Sequence, residues 1–201
     1  MDIWLDKIDT NSSIDGLDVI NKIASDDEIY GEAPIDEEID EYLYKGFLKL
    51  SEDEVYEDNP THRYWICMDD KKIGYADIRE ELTPETSKVG GNIGIILLKE
   101  YRNKGLGKVV MKKILDEAYN IGMNDILVTT DKDNSAMRGL CKSMGAELTG
   151  IDGHCHYWFK KQNKKSFKEL IWRKSTRNKK RVDFLYDKIT IRRITYGKGI
   201  S

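Results

Sequence analysis

Seven consecutive residues, Arg102-Asn103-Lys104-Gly105-Leu106-Gly107-Lys108, set two glycines among three cations. They lie between an apolar run that reads as a strand and a periodic stretch that reads as a helix. At the start of a helix several backbone N–H groups have no intrahelical partner. Glycines let the backbone turn tightly and approach a ligand with no Cβ in the way. The product is a ring of donors, aided by the helix dipole, that suits phosphate oxygens. Two other phosphate-binding patterns are excluded. There is no Gly-x-x-x-x-Gly-Lys-Ser/Thr, and the third glycine of a dinucleotide fingerprint would fall at Val110. A lone Gly-x-Gly also serves a plain tight turn into a helix, so the elements around it matter.

Residues 92–98 form the apolar strand ahead of the loop, preceded by Gly90-Gly91. Behind it, Val110, Ile114, Ala118 and Ile121 recur at three- and four-residue intervals, the mark of an amphipathic helix that Gly122 ends. Residues 125–131 read as a buried strand, 135–144 as a short helix closed by Gly145, and 156–159 as a further strand. Upstream, residues 63–68 and 73–79 are rich in aromatic and branched side chains around Asp69-Asp70-Lys71-Lys72, an antiparallel hairpin. Residues 35–50 predict a helix started by Pro34, with Asp36, Glu37 and Glu38 in its first turn and Ile39, Tyr42, Leu43 and Leu50 as its apolar stripe. A weaker helix is expected over 12–24. This order predicts an α/β (α+β) domain with a mixed, mostly antiparallel central sheet flanked by helices. It spans residues 1–160, of which 1–60 are acidic and helical. Residues 161–201 are a basic extension with strand-like pieces at 169–173 and 182–194, expected to form a hairpin.

Arg-x-x-Gly-x-Gly directly after a strand and opening a long helix resembles the pyrophosphate-binding motif of the GNAT superfamily of N-acetyltransferases. The resemblance extends over residues 60–160. Asp131-Lys132-Asp133-Asn134 follows the next strand, and Asn134 stands eleven residues before Gly145, the family's usual spacing for an asparagine facing the pantetheine arm. Residues 75–79, the Gly90-Gly91 pair and the Asp-x-Asp-Asn stretch are similar to a group of predicted bacterial acetyltransferases. The resemblance implies acetyl-CoA as cosubstrate and no metal. Backbone N–H groups of Arg102, Asn103, Lys104, Gly105, Leu106, Gly107 and Lys108 would meet the pyrophosphate. Leu97, Leu98 and Lys99 would pair with the pantetheine as an added strand does. The central strand would splay from its neighbour 125–131 to admit it. Asn134 would bond the pantetheine or fix its loop, and a helix N-cap is the alternative or simultaneous role.

The catalytic groups are less legible. Acetyl transfer to an amine needs a neutral amine, a polarised thioester carbonyl and a proton for the departing thiolate. An N–H near Leu97 or Leu98 could polarise the carbonyl. Many relatives place a tyrosine seven residues after the asparagine, where this chain has Cys141. A thiol can donate a proton, although a cysteine on an apolar helix face is also ordinary core. The central strand has no carboxylate. Asp77, Glu80, His154, His156 and Tyr157 are the other candidates for proton transfer. Proximity with water as proton acceptor needs none of them.

Composition bounds the rest. The net charge is −3, but residues 1–60 hold 19 acids against 4 bases and residues 161–201 hold 14 bases against 3 acids. The two ends could attract each other within a protomer or across a homodimer. An acidic cleft would favour a cationic acceptor, either a small molecule or a peptide amine. Three scattered cysteines suggest reduced thiols, with neither disulfides nor zinc. No apolar run is long enough for a membrane helix, and the N-terminal residues carry acid where a signal peptide needs basic charge, so a cytoplasmic protein is expected. Two rival readings stay open. One is a non-catalytic acyl-CoA sensor. The other is nucleic-acid or partner binding through the basic tail, which the acidic remainder disfavours.

Overall fold

The computed structural model describes residues 2–26, 38–56 and 59–161. The strands expected beyond residue 161, and the helix start expected at Pro34, lie outside the described residues. The elements in chain order are β1 (Ile3–Lys7), α1 (Asp15–Ala24), α2 (Glu41–Glu52), β2 (Val55–Tyr56), β3 (Asn59–Met68), β4 (Lys71–Arg79) and β5 (Ile93–Leu97), then a 3-10 turn at Lys99–Tyr101. They continue with α3 (Gly107–Asn120), β6 (Asp125–Asp131), α4 (Ser135–Ser143), β7 (Glu147–Asp152) and β8 (His154–Lys160).

The strands form two sheets, in every pairing antiparallel. The larger runs β1-β3-β4-β5 with β2 also on β3, and the smaller runs β6-β8-β7. The expected hairpin is β3–β4, with Trp65 opposite Tyr75 and Asp77 opposite Arg63. Strands β1 and β7 carry too few apolar residues in alternation to be read from sequence. β1 is held by register pairing to β3, from Ile3 opposite Met68 to Lys7 opposite Tyr64.

Period-two alternation distributes β3 between two cores. Tyr64 and Ile66 join Ile73, Ala76, Ile78 and Ile93 under α3, whose Val110, Met111, Ile114 and Ala118 are fully buried. Trp65 and Cys67 face the other way, into a cluster with Val19 and Ile23 of α1 and Tyr44 and Leu48 of α2. Both faces of the large sheet are therefore covered.

Helix α2 departs from the sequence expectation in start and in face. It begins at Glu41, where the Asp40 carboxylate accepts from the Leu43 N–H at 2.8 Å, the N-cap bond that satisfies an orphan donor. Tyr42, Leu43 and Leu50, expected to point inward, are 82%, 57% and 58% exposed. The face that packs is Tyr44, Phe47, Leu48 and Ser51, also at helical spacing. Trp65 decides between the two stripes: the Phe47 ring lies 6.1 Å from it, and the Tyr44 hydroxyl reaches across to donate to the Ser13 carbonyl.

Candidate active site

Strands β5 and β6 lie side by side at one end and separate at the other. The clasp is Asn92, almost fully buried just before β5. Its N–H donates to the Leu127 carbonyl at 2.7 Å. Its side-chain Oδ1 accepts from the Leu127 N–H at 2.8 Å, and its Nδ2 donates to the Arg79 carbonyl at 2.9 Å. The side chain thus stands in for the backbone donor that has turned away from β4. Gly91, at φ +64°, lets the chain approach β6 so closely that a Cβ there would overlap the Leu127 carbonyl oxygen. Beyond the clasp no ladder joins the two strands.

The β4–β5 register shows which backbone groups face the gap. Arg79 N–H bonds the Asn92 carbonyl and Leu98 N–H bonds the Ile73 carbonyl at 2.9 Å. In an antiparallel pair such bonded positions alternate. Gly94, Ile96 and Leu98 therefore spend their backbone groups on β4, while Ile95 and Leu97 turn theirs toward the gap.

The gap opens into a cleft of about 1130 Å³. Ile95, Ile96 and Leu97 form one wall, the loop before α3 its end, and α4 with the loop before it the other wall. Asn103 at φ +57° and Gly105 at φ +77° bend that loop. The first intrahelical bonds of α3 are Val109 N–H and Val110 N–H to the Leu106 carbonyl. The N–H groups of Gly107 and Lys108 precede them, and Leu106 makes no side-chain cap.

Eight of the eleven residues expected to hold a coenzyme line this cleft: Leu97, Arg102, Asn103, Gly105, Leu106, Gly107, Lys108 and Asn134. Three do not. Leu98 is buried against α1 and α2, and its N–H is committed to Ile73. Leu98 and Lys99 instead border a separate cavity of about 270 Å³ with Lys22, Ser25, Asp26 and Glu100. Lys104 lays its ammonium over the Tyr101 ring at 5.8 Å. Asn134 is the N-cap of α4, its Oδ1 accepting from the Met137 N–H at 2.9 Å. Arg102, expected to lend its charge to phosphate, turns its guanidinium inward: Nε donates to the Leu97 carbonyl at 2.8 Å and Nη2 to Asp26 Oδ2 at 2.6 Å.

The proton-transfer candidates separate by burial. Cys141 is fully buried in the core, and burial pushes its thiol up to about 12. It does not line the cleft, because its helix face packs on the core. Tyr157 alternates inward along β8 and is also fully buried. Asp77 is held by Arg79 at 2.7 Å, and its other oxygen occupies the space a Cβ on Gly94 would fill. His156 stands opposite Thr129 on the face of the small sheet away from Tyr157, with its Nε2 buried and without a bond among the described residues. His154 pairs with Asp131 at 2.8 Å, and Glu80 bonds His62 at 2.7 Å. Sequence reasoning missed Ile95, the clasp of Asn92 and the partner Asp26. The Gly90-Gly91 pair signalled the clasp; nothing local signalled Asp26.

A model of the acetyltransferase (GNAT) family matches residues 28–146. No curated protein sequence matches significantly. Among solved structures the chain is similar to spermidine N-acetyltransferase from Vibrio cholerae in complex with CoA and spermine, with 16% identity over 79% of this chain and 95% of that one and a TM-score of 0.58. It is similar to the aminoglycoside acetyltransferase AAC(6')-Ib in complex with ribostamycin and coenzyme A, with 15% identity over 81% and 95% and a TM-score of 0.62. It is also similar to Campylobacter jejuni N-acetyltransferase PseH in complex with acetyl coenzyme A, with 16% identity over 79% and 99% and a TM-score of 0.51. At these identities the likeness is one of fold. Among the described residues no helix is long and apolar enough to cross a membrane.

Proposed function

The chain belongs to the acetyltransferase (GNAT) family, and from that premise we propose that it passes the acetyl group of acetyl-CoA to a primary amine by direct attack within a ternary complex. One observation carries this reading: the outward-facing backbone of Ile95 and Leu97 and the open amides at the start of α3 border the same cleft. The N–H groups of Asn103 and of residues 105–108 take the pyrophosphate, as helix N-termini bind anions. Ile95 pairs with the pantetheine amides along the free edge of β5. The Leu97 N–H is the donor that polarises the thioester carbonyl, a role for which Leu98 is already occupied.

Rate enhancement then comes chiefly from proximity. Cys141 and Tyr157 are sealed from the cleft, which argues against either as the acid. The amine loses its proton to water, since His156, whose buried Nε2 has no bond among the described residues, is not among the residues that line the cleft. The acceptor is a small cationic amine. The excess of acid in residues 1–60 supports this, as does the spermine and ribostamycin named with the similar structures.

Calorimetry with acetyl-CoA, followed by thiol release with a panel of polyamines, aminoglycosides and lysine peptides, tests the reading. Gly105→Val forces a branched side chain into a left-handed backbone beside the amides. It should abolish measurable coenzyme binding in a folded protein. Undiminished affinity would remove the loop from the coenzyme site, and tight binding with no turnover on any amine would favour the acyl-CoA sensor.

A further inference from the structure

We propose that Asp26 is a positioning residue for the coenzyme, acting through Arg102 from outside the cleft. The inference rests on the reading that acetyl-CoA occupies that cleft. Arg102 opens the phosphate loop, yet its guanidinium faces away from the amides of that loop. Nε holds the Leu97 carbonyl at 2.8 Å, and Nη2 holds Asp26 Oδ2 at 2.6 Å. One planar group therefore ties the last residue of β5 to the first residue of the loop, and both to the residue that follows the α1 C-cap. The Asp26 side chain is 5% exposed and that of Arg102 21%.

Two consequences follow from that geometry. First, the Leu97 N–H and the loop amides belong to one coenzyme-binding ribbon, and its bend is set where Arg102 closes the 3-10 turn Lys99–Tyr101. A guanidinium presents its donors in a rigid fork, so holding one partner fixes the direction to the other. Secondly, both side chains are largely buried, so a substitution that breaks this pair costs more than it would at an exposed one. Asp26 itself is anchored by its N–H to the Ile23 carbonyl at the end of α1. The position of the loop is thereby referred to α1, which packs on the opposite face of the large sheet from α3. A phosphate-bound arginine would make a different prediction, because its partner would then be the ligand and Asp26 would be irrelevant.

The full-length protein, Asp26→Asn, Arg102→Gln and the double variant should each be titrated with acetyl-CoA by calorimetry, with a circular dichroism melt to confirm folding. Each single substitution should weaken acetyl-CoA at least tenfold. The double should be no more than about threefold weaker than the worse single, the non-additivity expected of two residues acting as one unit. At saturating acetyl-CoA, Asp26→Asn and Arg102→Gln should lower kcat by the same factor within about threefold, because both release the residue whose N–H polarises the thioester carbonyl. Arg102→Lys, which keeps the charge but cannot hold the Leu97 carbonyl and Asp26 in one rigid fork, should lose affinity as well. If Arg102→Gln weakens binding while folded Asp26→Asn does not, or if the two effects add, the proposal is overturned. Failure of the wild-type protein to bind would instead refute the coenzyme reading itself. Should Asp26→Asn not fold, hydrogen exchange on the wild-type protein decides. By reciprocity, acetyl-CoA must slow exchange in residues 22–26, and unchanged exchange there would overturn the proposal.

Discussion

Replacing Asn92 by alanine should open the clasp from which β5 and β6 diverge, and the structure sets the size of the effect. The side chain serves two backbone groups, the Leu127 N–H at 2.8 Å and the Arg79 carbonyl at 2.9 Å. Asn92 is 3% exposed; its bond to Leu127 is buried and its bond to Arg79 partly so. A buried polar group left without its partner costs about 1–3 kcal/mol, so the two together should cost about 2–6 kcal/mol. For a domain of this size the melting temperature shifts by about 2–4 °C per kcal/mol, which places the expected drop at about 4–24 °C. Urea denaturation followed by circular dichroism measures the free energy. Exchange of the Leu127 amide reads the broken bond itself and should accelerate with the global loss. Asn92→Asp keeps an acceptor for the Leu127 N–H but faces the Arg79 carbonyl with a second oxygen, so it should not rescue. Acetyl-CoA affinity should fall in parallel, because the clasp sets the angle at which the cleft opens. A destabilisation below about 1 kcal/mol, with Leu127 exchange unchanged, would show that the side chain is not what joins the sheets.

The two stripes of α2 make a sharp contrast: Tyr42→Ser should change stability by less than about 0.5 kcal/mol, whereas Tyr44→Ala should cost about 3–5 kcal/mol, both measured by urea denaturation. Cys141→Ala and Cys141→Ser should keep turnover within about threefold, and a loss near a hundredfold at normal coenzyme affinity would make the thiol the acid after all. The same residue carries a pH signature. Burial raises its thiol from 9.0 to about 12, so the folded state favours the neutral form, and the stability this contributes is complete below pH 9 and is lost as pH rises from 9 toward 12. Cys141→Ala should flatten part of that alkaline decline in melting temperature. It should not remove all of it, because burial also raises Cys67 to about 11 and Tyr44 to about 12.

The glycine loop was legible in the sequence because its determinants are local. A strand end, a glycine that tolerates positive φ and a helix start are set by neighbours a few residues away, and residues 102–108 contain all of them. The same holds for α3 and α4, whose apolar spacing and closing glycines need no distant partner, and for Asn134 as an N-cap. Such signals also sufficed for the fold class.

What needed the tertiary structure was every choice among partners. Residues 39–51 carry two apolar stripes of helical spacing, and periodicity cannot say which one is buried; Trp65 on β3 selects Tyr44, Phe47 and Leu48 and leaves Tyr42 in water. The divergence of β5 from β6 depends on an asparagine whose amide substitutes for a backbone donor, which no pattern of apolar residues encodes. Arg102 is recognisable as part of a phosphate motif from its spacing alone. The direction of its guanidinium is set by contacts made on folding, Asp26, 76 residues earlier, among them, because a side chain with five donors points wherever folding brings well-placed buried acceptors.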